Sequence, residues 1–290
     1  MVGKKITIGW FLRNLFLWFM VVIMLFPLIH MVAVSLSDTA SVMRGAVTFW
    51  PKGFNIDVYK QILTDPMIFT AYKNTIMYTV VGVAAALFVL TTGAYALSKK
   101  RCPFGKQLNI LVMITMFFGG GMIPTYLVIK WLGMLDTIWA VTIPHAFSAY
   151  NMIIMRSFFQ AFPVEIEESG RLDGLNDIGV LWYLVLPTST AVLATIGLFV
   201  AVAQWNAFQA PLLYLNDNAK YPLQLILRQI IMQSINTSQD AMAELAQSTQ
   251  FAEDAIKYGT ILVSIIPIIA VYPFLQKYFV KGVMIGSVKG

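Results

Sequence analysis

Apolar residues gather along this chain in six long runs, near 12–35, 72–97, 108–131, 137–159, 181–215 and 256–279, and polar residues collect between them. Each run matches or exceeds the about 20 residues of helix that cross the hydrocarbon core of a bilayer. A backbone in lipid must satisfy its own hydrogen bonds, so such runs are read as helices. The pattern predicts an all-α membrane protein with about six transmembrane helices. Several runs are interrupted. Gly119, Gly120, Gly121 and Pro124 break the third, Pro144 lies in the fourth, and Pro187 and Pro211 lie in the fifth, part of which is expected outside the bilayer. A break of this kind either faces a wet cavity or serves close helix packing through small residues, as Gly82, Gly93 and Ala84-Ala85-Ala86 do in the second run.

Composition sharpens this reading. Hydrophobic residues make up 58% of the chain and charged residues 12%, against about 25% charged in a soluble domain. Six spans and their connectors use the 290 residues and leave no room for a separate soluble catalytic domain. The net charge of +6 points to membrane topology and not to nucleic acid, because the basic residues flank the apolar runs. Lys4, Lys5 and Arg13 precede the first run, and Lys99, Lys100 and Arg101 follow the second. The positive-inside rule then puts both termini and the 163–177 stretch of this multi-pass membrane protein in the cytoplasm. The first run is longer than the apolar core of a signal peptide and contains Pro27, so a retained helix is expected. Cys102 is the only cysteine and has no partner for an internal disulfide.

Several chemistries have no residues to carry them. The chain has no G-x-x-x-x-G-K-[ST] phosphate loop, no H-E-x-x-H zinc pair and no G-x-S-x-G elbow. His30 and His145 are its only histidines; His145, just after Pro144, reads as a packing or hydrogen-bonding residue. No catalytic residue, cofactor site or metal site is predicted. Asp and Glu sit in the connectors, whereas an ion-coupled secondary transporter, the alternative reading, needs buried acidic residues or an inverted repeat. An intramembrane enzyme needs buried nucleophile or metal-ligand pairs. If the chain is part of a pump, the lack of such groups points to an energy-giving partner protein.

The connector after the fourth run is the most informative. Pro163 suits the first turn of a helix. Glu165, Glu167 and Glu168 then lie near its positive end. Ile166 with Gly170, and Ser169 with Leu172, fall at spacings that share a face. Gly174 can supply the left-handed residue that ends a helix, and Asn176 or Asp177 can cap the next. The product is a short helix, a sharp turn and a second helix leading into the fifth run. On physics alone this unit either lies on the bilayer surface or projects to dock in a partner.

The segment resembles the EAA loop of ATP-binding-cassette (ABC) importer permeases. Glu168-Ser169-Gly170 stands in the E-A-A place, Asp173-Gly174 forms the D-G pair, and Leu186-Pro187 closes the motif. Phe118-Gly119-Gly120-Gly121-Met122-Ile123-Pro124-Thr125-Tyr126, Asn151, Phe158-Phe159, Trp205-Asn206 and the tail 282–290 are similar to the maltose-permease G-type branch, and most to its complex-oligosaccharide subgroup. The resemblance implies the type I importer permease fold with a cytoplasmic coupling helix. It implies four kinds of partner: a second, homologous permease, an ATPase dimer that binds ATP and Mg, an extracytoplasmic solute-binding protein, and an oligosaccharide substrate. It places Glu168, Ser169, Gly170, Leu172, Asp173, Gly174 and Leu175 at the ATPase, with the tail 281–290 reaching towards it. The chain then divides into a first helix with its connector, 1–70, and a core permease domain, 71–290, that contains the EAA loop 163–187.

Sugar recognition needs hydroxyl-matching polar groups and flat apolar faces. Tyr150, Asn151, Gln204, Trp205, Asn206 and Gln209 are the candidates inside the runs; the polar ones serve either the substrate path or interhelical hydrogen bonds. A disaccharide, a longer neutral oligosaccharide and an acidic one all remain open, as does a ligand held mainly by the partner permease. The hairpin reading predicts that Gly174→Pro or Glu168→Lys leaves membrane insertion intact but uncouples ATP hydrolysis from transport. Membrane-fraction blots and uptake assays check this.

Overall fold

The computed structural model describes residues 8–240 and 255–273, and every regular element among them is helical. In chain order these are α1 (Ile8–Ser35), α2 (Thr39–Met43), α3 (Asp57–Thr64), α4 (Pro66–Ser98), α5 (Gly105–Phe117) and α6 (Met122–Trp131). They continue with α7 (Ile138–His145), α8 (Ala149–Gln160), α9 (Val164–Leu172), α10 (Asp177–Thr188), α11 (Thr190–Trp205), α12 (Gln209–Tyr214), α13 (Leu223–Asp240) and α14 (Ala255–Pro273). Three helices, α1, α4 and α14, are each long and apolar enough to cross a bilayer alone. Counting each of three bent pairs as one span gives six among the described residues.

The bends fall where the backbone chemistry allows them. The α5–α6 pair turns by 116° across Gly119-Gly120-Gly121, and Gly121 takes φ +83°, which a side chain would resist. The α7–α8 pair turns by 52° after Pro144, where Ser148 Oγ accepts a hydrogen bond from Asn151 N and opens α8. The α10–α11 pair turns by 83° at Ser189. A π-helical segment, Val180–Val185, precedes that bend and Pro187. The fifth run, expected over 181–215 with part of it outside the bilayer, is divided among three helices, α10, α11 and α12. The connector over 216–254, expected to be polar loop, contains α13, which buries Leu223, Leu225, Ile226 and Leu227. Its polar residues masked a helical face that only tertiary contact reveals. The end of the sixth run and the tail lie outside the described residues.

Close contacts divide the chain into two units. The first takes residues up to Phe69 together with Leu227–Ile266. Here Ala33, Val34, Val42 and Val47 cluster under Tyr258. Gly259 lies so close to Val58 and Ile62 that a Cβ there would meet their side chains at 2.8 and 2.9 Å. Ser35 Oγ and Tyr59 Oη share a hydrogen bond of 2.7 Å. The most apolar stretch of α1 is buried by none of the described residues, a surface that suits lipid or another subunit.

The second unit takes Thr70–Ile226 and Pro267–Gly290. Its core joins Ala86, Leu90, Ala94 and Tyr95 of α4 to Met152, Met155 and Phe159 of α8. Val180, Leu181 and Val185 of α10 and Val192, Ile196 and Val200 of α11 complete it. A second cluster packs Ile129 of α6, Ala140 of α7, and Ala210 and Tyr214 of α12. Gly93 admits the Met152 methyl, which a Cβ would approach to 2.6 Å.

Two loops of this unit are latched together by Asp136, which sits at φ +58°. Its N–H donates to Tyr214 O (2.7 Å), and its Oδ1 accepts from the Asn216 and Asp217 amides (3.0 and 3.2 Å). Lys220 Nζ pairs with Oδ2 and also donates to Asp136 O at 2.9 Å. The Lys220 ammonium and the two amides hold the Asp136 carboxyl down at about 2, against an ordinary 3.8. A depressed folded-state value stabilises the latch above the ordinary value, and that stabilisation is lost as pH falls from 3.8 towards about 2. In detergent, thermal melting of the wild type should lose ground through that acid window. Asp136→Asn should start from a lower melting temperature at neutral pH and respond less to acid there.

Candidate coupling hairpin and translocation path

The connector between α8 and α10 folds as a hairpin of two helices. Pro163 stands one residue before α9, at its N-cap and not inside its first turn, and Glu165 and Glu167 occupy the positive end. At the far end the Leu175 amide donates to Gly170 O (2.9 Å) and the Gly174 amide to Arg171 O (3.0 Å). These two bonds, with Gly174 at φ +89°, form a Schellman stop. The Leu175 side chain closes over Gly170, 3.4 Å from where a Cβ would be. Asn176 Oδ1 then caps α10 by accepting from Gly179 N at 2.8 Å. Two caps, Asp173 and Asn176, with only Gly174 and Leu175 between them leave the turn little freedom.

The hairpin has two chemically different faces. Glu168, Ser169, Asp173 and Gly174 are exposed, and Leu172 is 90% exposed, an unusual position for a leucine with nothing covering it. Gly170 is buried and Leu175 half-buried. The grouping expected from spacing alone is thus split, because Gly170 turns inward while Ile166, Ser169 and Leu172 turn out. Glu167, expected from sequence only as an acid at the positive end of α9, is 6% exposed. It pairs with Lys99, just beyond α4, and lies 3.7 Å from Arg171. Asp177 pairs with Arg101 and lies 3.4 Å from Arg171. Sequence reasoning assigned Lys99 and Arg101 to membrane orientation alone. Their second use depends on an approach across 68 residues of chain in the case of Lys99.

The proposed path residues are not all together. Gln204, near the end of α11, donates to Val141 O at 3.3 Å and fills the space that Gly82 leaves empty. It borders a small depression with Thr75, Tyr78, Val141, Ala207, Pro211 and Pro222. Trp205 is 9% exposed and meets the Tyr72 ring edge-on at 6.4 Å. Its indole N–H is buried without a hydrogen-bond partner among the described residues. Asn206 donates to Val202 O at 2.9 Å and accepts from Gln224 Nε2 at 3.5 Å. Gln209 is exposed at the start of α12. Tyr150 is 57% exposed and Asn151 buried in the first turn of α8, and neither borders the depression. Thr75 and Tyr78, which do border it, escaped notice because single hydroxyls in an apolar run carry no distinguishing pattern.

The broken spans and the capped hairpin between two of them suit a membrane transporter subunit. Residues 103–285 match the family described as "Binding-protein-dependent transport system inner membrane component", and the chain belongs to that family, as a multi-pass permease subunit of an ABC importer. It is 42% identical over 275 residues to the polygalacturonan/rhamnogalacturonan transport system permease protein YtcP of Bacillus subtilis (strain 168), covering 95% of this chain and 96% of that protein. It is 44% identical over 268 residues to the protein LplC of the same organism, covering 92% and 90%. Among solved structures it resembles a bacterial ABC transporter involved in the import of the acidic polysaccharide alginate, with a TM-score of 0.86 and 33% identity over 96% of this chain and 99% of that one. The expected type I importer permease fold is thereby established. Nothing supports the ion-coupled alternative, and no Asp or Glu lies in α1, α4, α5, α6, α7, α8, α11 or α14.

Gly170 stands where the EAA pattern has alanine. A Cβ there would come too close to Leu184 Cδ1, at 2.6 Å, the free end of a flexible side chain, and would touch Leu175 Cδ1 at an ordinary 3.4 Å. The helix-propensity gain of about 1 kcal/mol and the off-rotamer cost of about 0.5–1.5 kcal/mol nearly cancel. Gly170→Ala should therefore keep stability within about 1 kcal/mol and retain transport, whereas Gly170→Leu should dislodge α9 from α10 and abolish it. Melting curves and uptake by the two variants check this.

Proposed function

We propose that this subunit forms one half of the import path for an oligosaccharide released from an acidic plant or algal polysaccharide, and that the 163–187 hairpin couples that path to ATP hydrolysis. The other half is a second, homologous permease. A pair of ATPase subunits binds ATP with Mg and hydrolyses the ATP; this chain supplies no covalent chemistry and holds no cofactor or metal. An extracytoplasmic binding protein delivers the sugar. Both chain termini and the hairpin lie in the cytoplasm.

The observation that carries the coupling role is the exposed face of α9. Leu172 is 90% exposed beside Glu168, Ser169 and Gly174 on a doubly capped turn. Such a unit moves as one piece when a partner groove grips it. ATP binding closes the ATPase pair, the hairpin follows, and the core helices rotate between inward-open and outward-open arrangements. The two states need to differ by only a few kcal/mol for ligands to tip them. Support for an acidic sugar comes from the relatives: polygalacturonan, rhamnogalacturonan and alginate are all uronate polymers. Arg44, Lys52 and Lys130, on the side opposite the hairpin in this orientation, add a positive field that favours anionic cargo. Gln204, Asn206 and the unpartnered Trp205 N–H supply donors of the kind that hydroxyls and carboxylates accept.

The complex purified with its binding protein should carry a uronate-containing glycan identifiable by mass spectrometry; a neutral sugar or a peptide would overturn the substrate assignment. Leu172→Cys, in a Cys102→Ser background, should cross-link to the ATPase. A probe at that position reachable only from outside the cell would overturn the coupling role.

A further inference from the structure

The hairpin is fastened to a single short segment of chain. Glu167, on the inner face of α9, pairs with Lys99; Asp177, at the start of α10, pairs with Arg101. Arg171 bridges the two acids at 3.7 and 3.4 Å. Both limbs of the hairpin therefore hold the residues that immediately follow α4. That end is braced further. Lys99 Nζ lies 4.2 Å from the Tyr95 ring centre, Tyr95 meets Phe159 edge-on at 6.3 Å, and Arg156 Nε donates to Leu97 O at 2.9 Å. Lys99 and Glu167 have side chains only 15% and 8% exposed, so this pair is shielded from the solvent and salt that weaken surface ion pairs.

The opposite end of the same helix is tied to another loop. Asn74 Nδ2 donates to Ala219 O and Tyr221 O (2.8 and 3.2 Å), Tyr78 Oη donates to Lys220 O (2.8 Å), and Leu223 N donates to Thr75 Oγ1 (2.8 Å). Lys220 in turn holds Asp136. α4 contains 33 residues with its only proline at the first position, so it is an uninterrupted rod of about 50 Å at 1.5 Å per residue. The other spans of this unit are bent pairs. A displacement at one end of a straight helix reaches the other; across a break it is absorbed.

We propose that Lys99–Glu167 and Arg101–Asp177 are a strap that delivers the hairpin's movement to α4, and that α4 carries it through the membrane to the 216–223 loop. This proposal rests on the coupling role assigned above. In that role the hairpin drives two outputs: α10, to which it is joined covalently, and α4, to which it is joined by charge. Lys99, Arg101, Glu167 and Asp177 are positioning residues. They touch neither nucleotide nor sugar, and the docking face with Glu168 and Leu172 stays free for the ATPase.

The test uses the reconstituted complex of both permeases and the ATPase pair in proteoliposomes, with the binding protein purified together with the glycan it carries from cells. ATP hydrolysis is read with and without that binding protein. Lys99→Met with Glu167→Gln should co-purify with the ATPase at wild-type stoichiometry, while stimulation by the binding protein falls by about tenfold, the scale of coupling carried by single contacts. The exchanged pair Lys99→Glu with Glu167→Lys should restore most of that stimulation, which a loss of local packing would not allow. Adding Tyr78→Phe to the neutral pair should deepen the loss little, because both changes interrupt one path. Wild-type stimulation in the neutral pair, or no recovery in the exchanged pair, overturns the strap. Glu168→Lys separates this from the docking reading: a variant that keeps its ATPase and its stimulation overturns docking, whereas the strap is judged in complexes that hold the ATPase. Where the neutral pair fails to assemble, Lys99→Cys with Glu167→Cys in a Cys102→Ser background decides. Stimulation that survives oxidation to the cross-linked form supports a strap that moves as one piece, and its loss overturns it.

Discussion

In hydrocarbon a backbone amide or carbonyl without a partner costs several kcal/mol, so a chain can leave the helix only where protein or trapped water takes over its hydrogen bonds. This constraint decides where the permease can bend. α1, α4 and α14 obey it by staying whole. The other spans break at Gly119-Gly120-Gly121, around Pro144 and Ser148, and at Ser189 behind a π-helical turn, and each break falls in the unit that contains the hairpin. Rigid and interrupted helices side by side are what a gate needs: some elements must keep their length while others change direction.

Charge is used just as sparingly. The long apolar helices hold no acid, and among the described residues Asp136, Glu167 and Asp177 work in loops or in the hairpin. Asp136 gathers two amides and Lys220 at one end of the second unit; Glu167 and Asp177 gather Lys99, Arg101 and Arg171 at the hairpin. Both sets connect segments far apart in sequence, and both abut α4 or the loop tied to it. Ion pairs at the ends of a helical bundle hold loops in register without placing charge in lipid, where it is costly. In this importer permease the charged residues at these positions serve as fasteners.

Much of this protein was legible in its sequence. Length of apolar run against bilayer thickness determined the number of spans and the all-helical class, because lipid admits so few alternatives. Gly174, Asn176 and the acids of α9 determined a capped hairpin, because left-handed backbone and helix caps each demand particular residue types. The tertiary structure decided what pairing across the fold can decide. It divided the fifth run into α10, α11 and α12, and it found a helix in α13 whose polar residues had hidden its buried side. It turned Gly170 inward and Leu172 outward, drew Gln204 against Gly82 while leaving Tyr150 apart, and joined Glu167 to Lys99. Local chemistry specifies a turn or a span within a few residues of chain, whereas the partner of a buried charge is known only once distant segments have packed.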